Sequence, residues 1–269
     1  MAGTGAVGLN WLRTVSIAAL ALLLIPIVVL LYYGLGPFRN PAGYSAAVFS
    51  SIGLSLFSSA VAVVIDILLF TPLAYYLARS KDRIAESLVD IPISVPHPII
   101  GVALLILDSP ITASGKFLLG LHINFYDTIL GLVIALVIMS APIYVKSMQP
   151  YFESRDIASE DFAMGLGASR LRTLYAVVLP DSYDGLSSAS LISMSRALSE
   201  FGSISVIAFY VLQYPFYGVS PASVTIFQLY SGAMQGGLQA AVTASAAMIL
   251  VALPIALAGH FVRKRVRRQ

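Results

Sequence analysis

Apolar residues fill this chain in long runs, separated by short polar breaks and one long one. A spanning helix takes about 20 mostly apolar residues. Six stretches qualify once Pro and single polar residues are tolerated: 14–35, 48–78, 84–107, 128–149, 186–212 and 239–262. Pro and Gly are acceptable there because neighbouring helices re-satisfy the freed backbone groups. The apolar positions follow helical turns without period-two alternation, which argues against a β-barrel. The pattern predicts an all-α polytopic membrane protein of about six transmembrane helices, with residues 1–269 in a single domain. Val15 to Tyr33 exceeds a signal-peptide core, and Gly34-Leu35-Gly36-Pro37 is a poor cleavage site, so the first run is read as a retained helix.

The long break, Tyr151 to Arg172, lies between the fourth and fifth runs. Pro150 is expected to end span four, and Ser154 and Asp156 are N-cap candidates. Ile157, Ala158, Phe162, Ala163 and Leu166 share one helical face, with Glu160 and Asp161 beside it. Gly165 and Gly167 permit a left-handed stop, and Ser169 can cap a second helix that carries Arg170 and Arg172 and ends at Leu179-Pro180. Two short helices joined by a glycine elbow are thus predicted at the membrane surface. The plain alternative is an amphipathic interfacial connector, but the first helix is acidic where a lipid-binding helix is basic.

Composition sharpens this picture. Mean hydropathy is +0.87 and only 11% of residues are charged, which excludes an ordinary soluble domain. The absence of Cys removes disulfides, thiol nucleophiles and thiolate metal sites. Arg79, Lys81, Arg83, Lys146, Arg155, Arg170, Arg172 and the Arg263, Lys264, Arg265, Arg267, Arg268 tail fall on one set of connections, against only Arg39 and Lys116 on the other. Because Lys and Arg collect on the cytoplasmic side, both termini and the 150–185 loop are expected there. The basic tail reads as an anionic-lipid anchor and not as a nucleic-acid contact.

The run Asp161-Phe162-Ala163-Met164-Gly165-Leu166-Gly167-Ala168-Ser169, with Leu179-Pro180 thirteen residues after its last Gly, resembles the EAA motif of ABC importer permeases. Asp161 takes the Glu position, Ala163 the second Ala, Gly167 the Gly and Pro180 the Pro; Phe162 departs from the first Ala, and Glu160 can share the acidic role. Pro72-Leu73-Ala74-Tyr75-Tyr76-Leu77-Ala78-Arg79 and the Pro-rich Pro92-Ile93-Ser94-Val95-Pro96-His97-Pro98 are similar to core helices of such permeases. Arg196-Ala197-Leu198-Ser199-Glu200-Phe201-Gly202 resembles the Arg-Ala-Leu-Gly-Glu-Phe-Gly of the molybdate, tungstate and sulfate branch, with Ser199 replacing Gly.

The resemblance implies a non-catalytic permease domain over 1–269 with a coupling loop at 151–180. Glu160, Asp161, Phe162, Ala163, Gly165, Gly167, Ala168, Leu179 and Pro180 would face an ATPase. It also implies two permease copies, two ATPase subunits that carry ATP and Mg, and an external solute-binding protein on the outer loops 108–127 and 213–238. This chain supplies no nucleotide site of its own: Ser114-Gly115-Lys116-Phe117 lacks the upstream Gly and the hydroxyl residue of a P-loop.

The fifth run is the expected pathway helix, rich in Ser and carrying Arg196 and Glu200, with Ser195 and Ser199 alongside. Ionisable residues inside a bilayer face an interior or a water-filled cavity. Four residues apart, Arg196 and Glu200 share a helix face and can pair. A structural ion pair is preferred over an attractor for a tetrahedral dianion, because a paired Arg has little field left for loosely held cargo. His97 reads as a packed kink residue and Asp66 as a hydrogen-bond partner for a neighbouring helix; His122 and His260 lie near helix or loop ends. No His/Asp/Glu set has metal-ligand spacing. A proton-coupled secondary transporter using Asp66 or Glu200 is the main competing class, with an intramembrane hydrolase behind it. Which oxyanion is carried stays open between molybdate or tungstate and sulfate.

Overall fold

A computed structural model describes the backbone of residues 4–266 and the side chains of residues 11–258. His260 and the Arg263–Arg268 basic cluster therefore lie outside the described side chains. The described chain is helical, with a single isolated antiparallel bridge between Val211 and Val219. In order, the helices are α1 (Thr4–Leu35), α2 (Ala46–Ile65), α3 (Thr71–Ser80), α4 (Arg83–Val89), α5 (Ile91–Ser94), α6 (His97–Asp108), α7 (Ala113–Gly120), α8 (Ile129–Glu153), α9 (Ala158–Gly165), α10 (Arg170–Thr173), α11 (Tyr183–Leu198), α12 (Ile204–Ile207), α13 (Ala222–Ser231) and α14 (Gly237–Val266).

Four helical stretches among the described residues are long and apolar enough to cross a membrane: Trp11–Leu35, Ala46–Ser80, Ile129–Glu153 and Gly237–Ala258. They coincide with the first, second, fourth and sixth predicted runs. The third and fifth runs are broken. Pro92, Pro96 and Pro98 each withhold a backbone N–H, so residues 84–107 divide into α4, α5 and α6, with Val95 extended. At 12 residues, α6 is about 18 Å long, short of a hydrocarbon core about 30 Å thick; it pairs with α7 across a 66° bend. The fifth run leaves the helix at Leu198, and α13 forms within a stretch expected to be an outer loop.

The chain divides into two compact units. The smaller comprises residues 1–48 and 226–249. Within it, Thr243 of α14 donates to the Phe38 carbonyl (3.0 Å) and accepts from the Asn40 N–H (3.1 Å), pinning the turn after α1. Gly34 lets α1 close on α14, since a Cβ there would lie 2.7 Å from that of Ala246, the small-residue packing usual in lipid.

The larger unit comprises 49–225 and 250–269. Its centre is α8, against which α3 and α11 pack with Leu77, Tyr144, Met148, Phe152, Leu174 and Ala189 fully enclosed. A second apolar cluster gathers Leu54, Leu132, Leu136, Ile204, Ile207 and Val224. Between α2 and α3 lies a single π-turn, Asp66–Phe70, just ahead of Pro72. Pro72 has no N–H for the carbonyl one turn back, and a widened turn is a known way for a helix to absorb that loss. The same device recurs at Leu174–Val178, ahead of Pro180, where the Leu179 N–H reaches the Leu174 carbonyl at 2.8 Å. At the first π-turn, Asp66 is buried and accepts hydrogen bonds from Ser140 of α8 (2.7 Å) and Ser193 of α11 (2.6 Å). One carboxylate thus joins three helices, as its reading from sequence anticipates.

Candidate functional site

The 151–180 loop begins as the last turn of α8. Pro150 does not end that helix, which continues through Glu153. Ser154 closes it, donating its hydroxyl to the Tyr151 carbonyl, while Asp156 accepts from the Ala158 N–H at 3.0 Å and starts α9. After α9 the chain reverses at Gly167, whose φ of +89° is the left-handed conformation glycine adopts without a Cβ clash. Gly165, the last residue of α9, has no positive φ, so only one of the two glycines forms the elbow. Ser169 then accepts from the Arg172 N–H and caps α10. The predicted pair of helices and elbow is therefore present, with the stop assigned to Gly167 alone.

The facing of α9 reverses an ordinary amphipathic helix. Phe162 is 72% exposed and Leu166 76% exposed, with Ile157 and Leu171 also open. The charged Glu160, in contrast, is only 4% exposed. Its Oε2 accepts from the Tyr75 hydroxyl at 2.7 Å and from Arg79 Nε at 3.1 Å, and Arg79 Nη2 pairs with its other oxygen. Arg79 also donates to the Phe152 carbonyl at 2.9 Å, and the Tyr75 and Phe152 rings meet edge to face at 5.7 Å. Burial alone would raise the Glu160 carboxyl, but the hydrogen bonds from Arg79 and Tyr75 and the guanidinium charge outweigh it and hold its pKa below the ordinary glutamate value. Glu160 is thus a tether to α3. Asp161, Phe162, Gly165 and Gly167 are exposed, Ala163 and Ala168 half-buried, and Leu179 and Pro180 lie at the root of the loop after the second π-turn.

The second cluster joins α6 and α11. Arg196 and Glu200 do pair, with Arg196 Nη2 3.0 Å from Glu200 Oε2. His97 completes the set: its Nδ1 lies 3.1 Å from the same oxygen and its Nε2 3.1 Å from Arg196 Nη2. The other oxygen of Glu200 accepts from the Ser203 N–H (2.8 Å) and hydroxyl (2.9 Å), an internal capping interaction that replaces helical bonding where α11 stops. This is why the fifth run does not continue as one helix. Gly202 permits the approach, since a Cβ there would lie 2.7 Å from that of His97. Ser199 bonds back to the Arg196 carbonyl and Ser195 to the Leu191 carbonyl, so neither joins the cluster. His97 is therefore not a bland kink residue, although its flanking prolines were the only signal in the sequence.

A family model described as the binding-protein-dependent transport system inner membrane component matches residues 71–268. The chain is similar to a molybdate/tungstate transport system permease protein of Pyrococcus furiosus, 35% identical over 166 residues, 61% of each chain. It is 30% identical to a protein of the same description from Methanocaldococcus jannaschii, over 79% of this chain and 81% of that one. A sulfate transport system permease protein of Synechocystis is 27% identical over 75% of this chain and 72% of its own length. The aligned part spans about three fifths of the Pyrococcus furiosus relative.

Proposed function

Because this chain belongs to the family of binding-protein-dependent transport system inner membrane components, we propose that it is the permease subunit of an ATP-driven importer of a tetrahedral oxyanion. Molybdate or tungstate is the first assignment and sulfate the second, following the descriptions of its relatives. Two copies would enclose the pathway, and two ATPase subunits, which hold the ATP and Mg, would seat the 151–180 loops. A solute-binding protein would deliver the anion from outside. Both termini are assigned to the cytoplasm, and this chain performs no chemistry of its own.

The observation that carries this reading is the reversal on α9: exposed Phe162 and Leu166 with Glu160 turned inward. Large apolar side chains presented together on a rigid surface element are the usual anchors of a protein interface. The loop also lies beyond the end of a spanning helix and carries Asp161, Arg170 and Arg172, exposed charges that do not suit lipid. Further support comes from the second cluster. The His97 and Arg196 side chains are 38% and 22% exposed, and ionisable groups at membrane depth face water or protein, not acyl chains. That face of α6 and α11 suits a pathway between two copies.

The test is co-purification of the full chain with an ATPase and a binding protein encoded beside it, followed by reconstitution in liposomes. Molybdate, tungstate or sulfate delivered by the binding protein should stimulate ATP hydrolysis. Transport that follows an imposed proton gradient without ATP would reject the proposal in favour of a secondary transporter.

A further inference from the structure

We infer that Arg79 and Tyr75 are positioning residues for transport. They clamp Glu160 so that movement of α9 is delivered through space to α3, the inner arm of the second span. The inference rests on the reading of the 151–180 loop as the ATPase seat. An eight-residue helix on the surface transmits movement only through whatever holds it. The chain itself holds α9 at both ends, through residues 154–157 to α8 and through Gly167, α10 and the second π-turn to α11. Neither covalent link reaches α3; that connection is made by the Glu160 carboxylate, which receives both Tyr75 and Arg79. Arg79 also binds the Phe152 carbonyl, so the ends of α3 and α8 are fixed to α9 at one point.

On the far side, α3 is a continuous helix that starts at the first π-turn. Asp66 at that turn is held by Ser140 and Ser193 on the two neighbouring helices. From Arg79 back to Asp66 the helical rise is about 20 Å. This makes α3 a short lever with a charged clamp at the surface end and a polar joint at the buried end. A π-turn is a site where helices change direction or slip. Displacement of α9 would therefore tilt α3 about Asp66, shifting the inner end of the second span against α8 and α11.

The test uses the complete assembly in proteoliposomes, reading ATP hydrolysed per molybdate, tungstate or sulfate ion imported, whichever the unaltered protein carries. Arg79→Gln should retain the ATPase, because Phe162 and Leu166 are untouched, yet raise that ratio at least about fivefold, the low end of typical coupling factors. Arg79→Lys should restore part of the coupling, and Tyr75→Phe should produce a smaller rise than Arg79→Gln. A purely stabilising pair would lower the amount of assembled complex and reduce hydrolysis and import together, leaving the ratio unchanged; that result overturns the inference. Should Arg79→Gln fail to accumulate, Tyr75→Phe and Arg79→Lys read the same ratio and decide. An unaltered protein that retains no ATPase would refute the loop assignment itself, whereas coupled unaltered protein with normally coupled variants would refute the clamp alone.

Discussion

Arg196 in the last turn of α11 and Glu200 just beyond its end pair at 3.0 Å, and the carboxylate is wholly buried while the guanidinium keeps a solvent-facing edge. Removing Arg196 leaves the buried Glu200 carboxylate with His97 on one oxygen and Ser203 on the other, and no guanidinium. Arg196→Ala should therefore cost about 3–5 kcal/mol. Replacing both residues with apolar side chains cannot recover all of that loss, because Glu200 also holds the Ser203 N–H and hydroxyl. Glu200→Gln, which keeps an acceptor for Ser203, should combine with Arg196→Met better than Glu200→Leu does. Thermal unfolding of the two double variants in detergent checks this; equal stability would contradict the assignment of Glu200 to the helix end.

Asp66 offers a simpler contrast. Asp66→Ala strands the Ser140 and Ser193 hydroxyls inside the protein, at about 1–3 kcal/mol for each unsatisfied group. Asp66→Asn keeps an acceptor for both and should lose less than half as much. Chemical denaturation of the two variants in the same lipid gives the comparison, and an Asn variant as damaged as the Ala variant would mean that charge, not hydrogen bonding, is what the joint uses.

The two loop glycines should part company on substitution. Gly167→Val places a β-branched residue at φ +89° and should destabilise the loop by about 1–2 kcal/mol. A Cβ at Gly165 meets nothing within 4 Å, and that residue is helical, so Gly165→Ala should be neutral or stabilising by about 0.5–1 kcal/mol. Limited proteolysis of the loop is a direct readout, with faster cleavage expected in the Val variant only.

The pH response of α9 follows from Glu160. Its folded pKa lies below its unfolded value, so the tether contributes fully above about pH 4.3, the free glutamate value, and is lost as pH falls through the folded pKa. Amide protection in α9, corrected for intrinsic exchange, should stay level down to the free glutamate value of about 4.3 and drop only below it. A drop between pH 8 and 6 would require another titrating group.

Much of this organisation is legible in the sequence, and the exceptions share a cause. Runs one, two, four and six were found because apolar length alone decides whether a helix spans. The loop was found because Gly167 and Ser169 are local signals that act on their own neighbours. The third and fifth runs broke because Pro96, Pro98 and Glu200 change backbone bonding, which a hydropathy window averages away. The sequence places Glu160 on the outward surface with Asp161, whereas its partners, Tyr75 and Arg79, lie more than eighty residues earlier. In the sequence Arg79 reads as a topology-setting cation and as the end of a core-helix block, with no counter-ion evident. A charge turned inward is visible only once the fold supplies its counter-ion.

The most direct measurement of the central claim is whether the exposed face of α9 holds an ATPase. The full chain and its neighbouring ATPase should co-purify in stoichiometric amounts. Phe162→Asp and Leu166→Asp, which alter exposed side chains, should leave the permease folded by thermal melt yet reduce ATPase retention at least about tenfold, corresponding to about 1.4 kcal/mol at the interface. Full retention of the ATPase by both variants, with folding intact, would contradict the account.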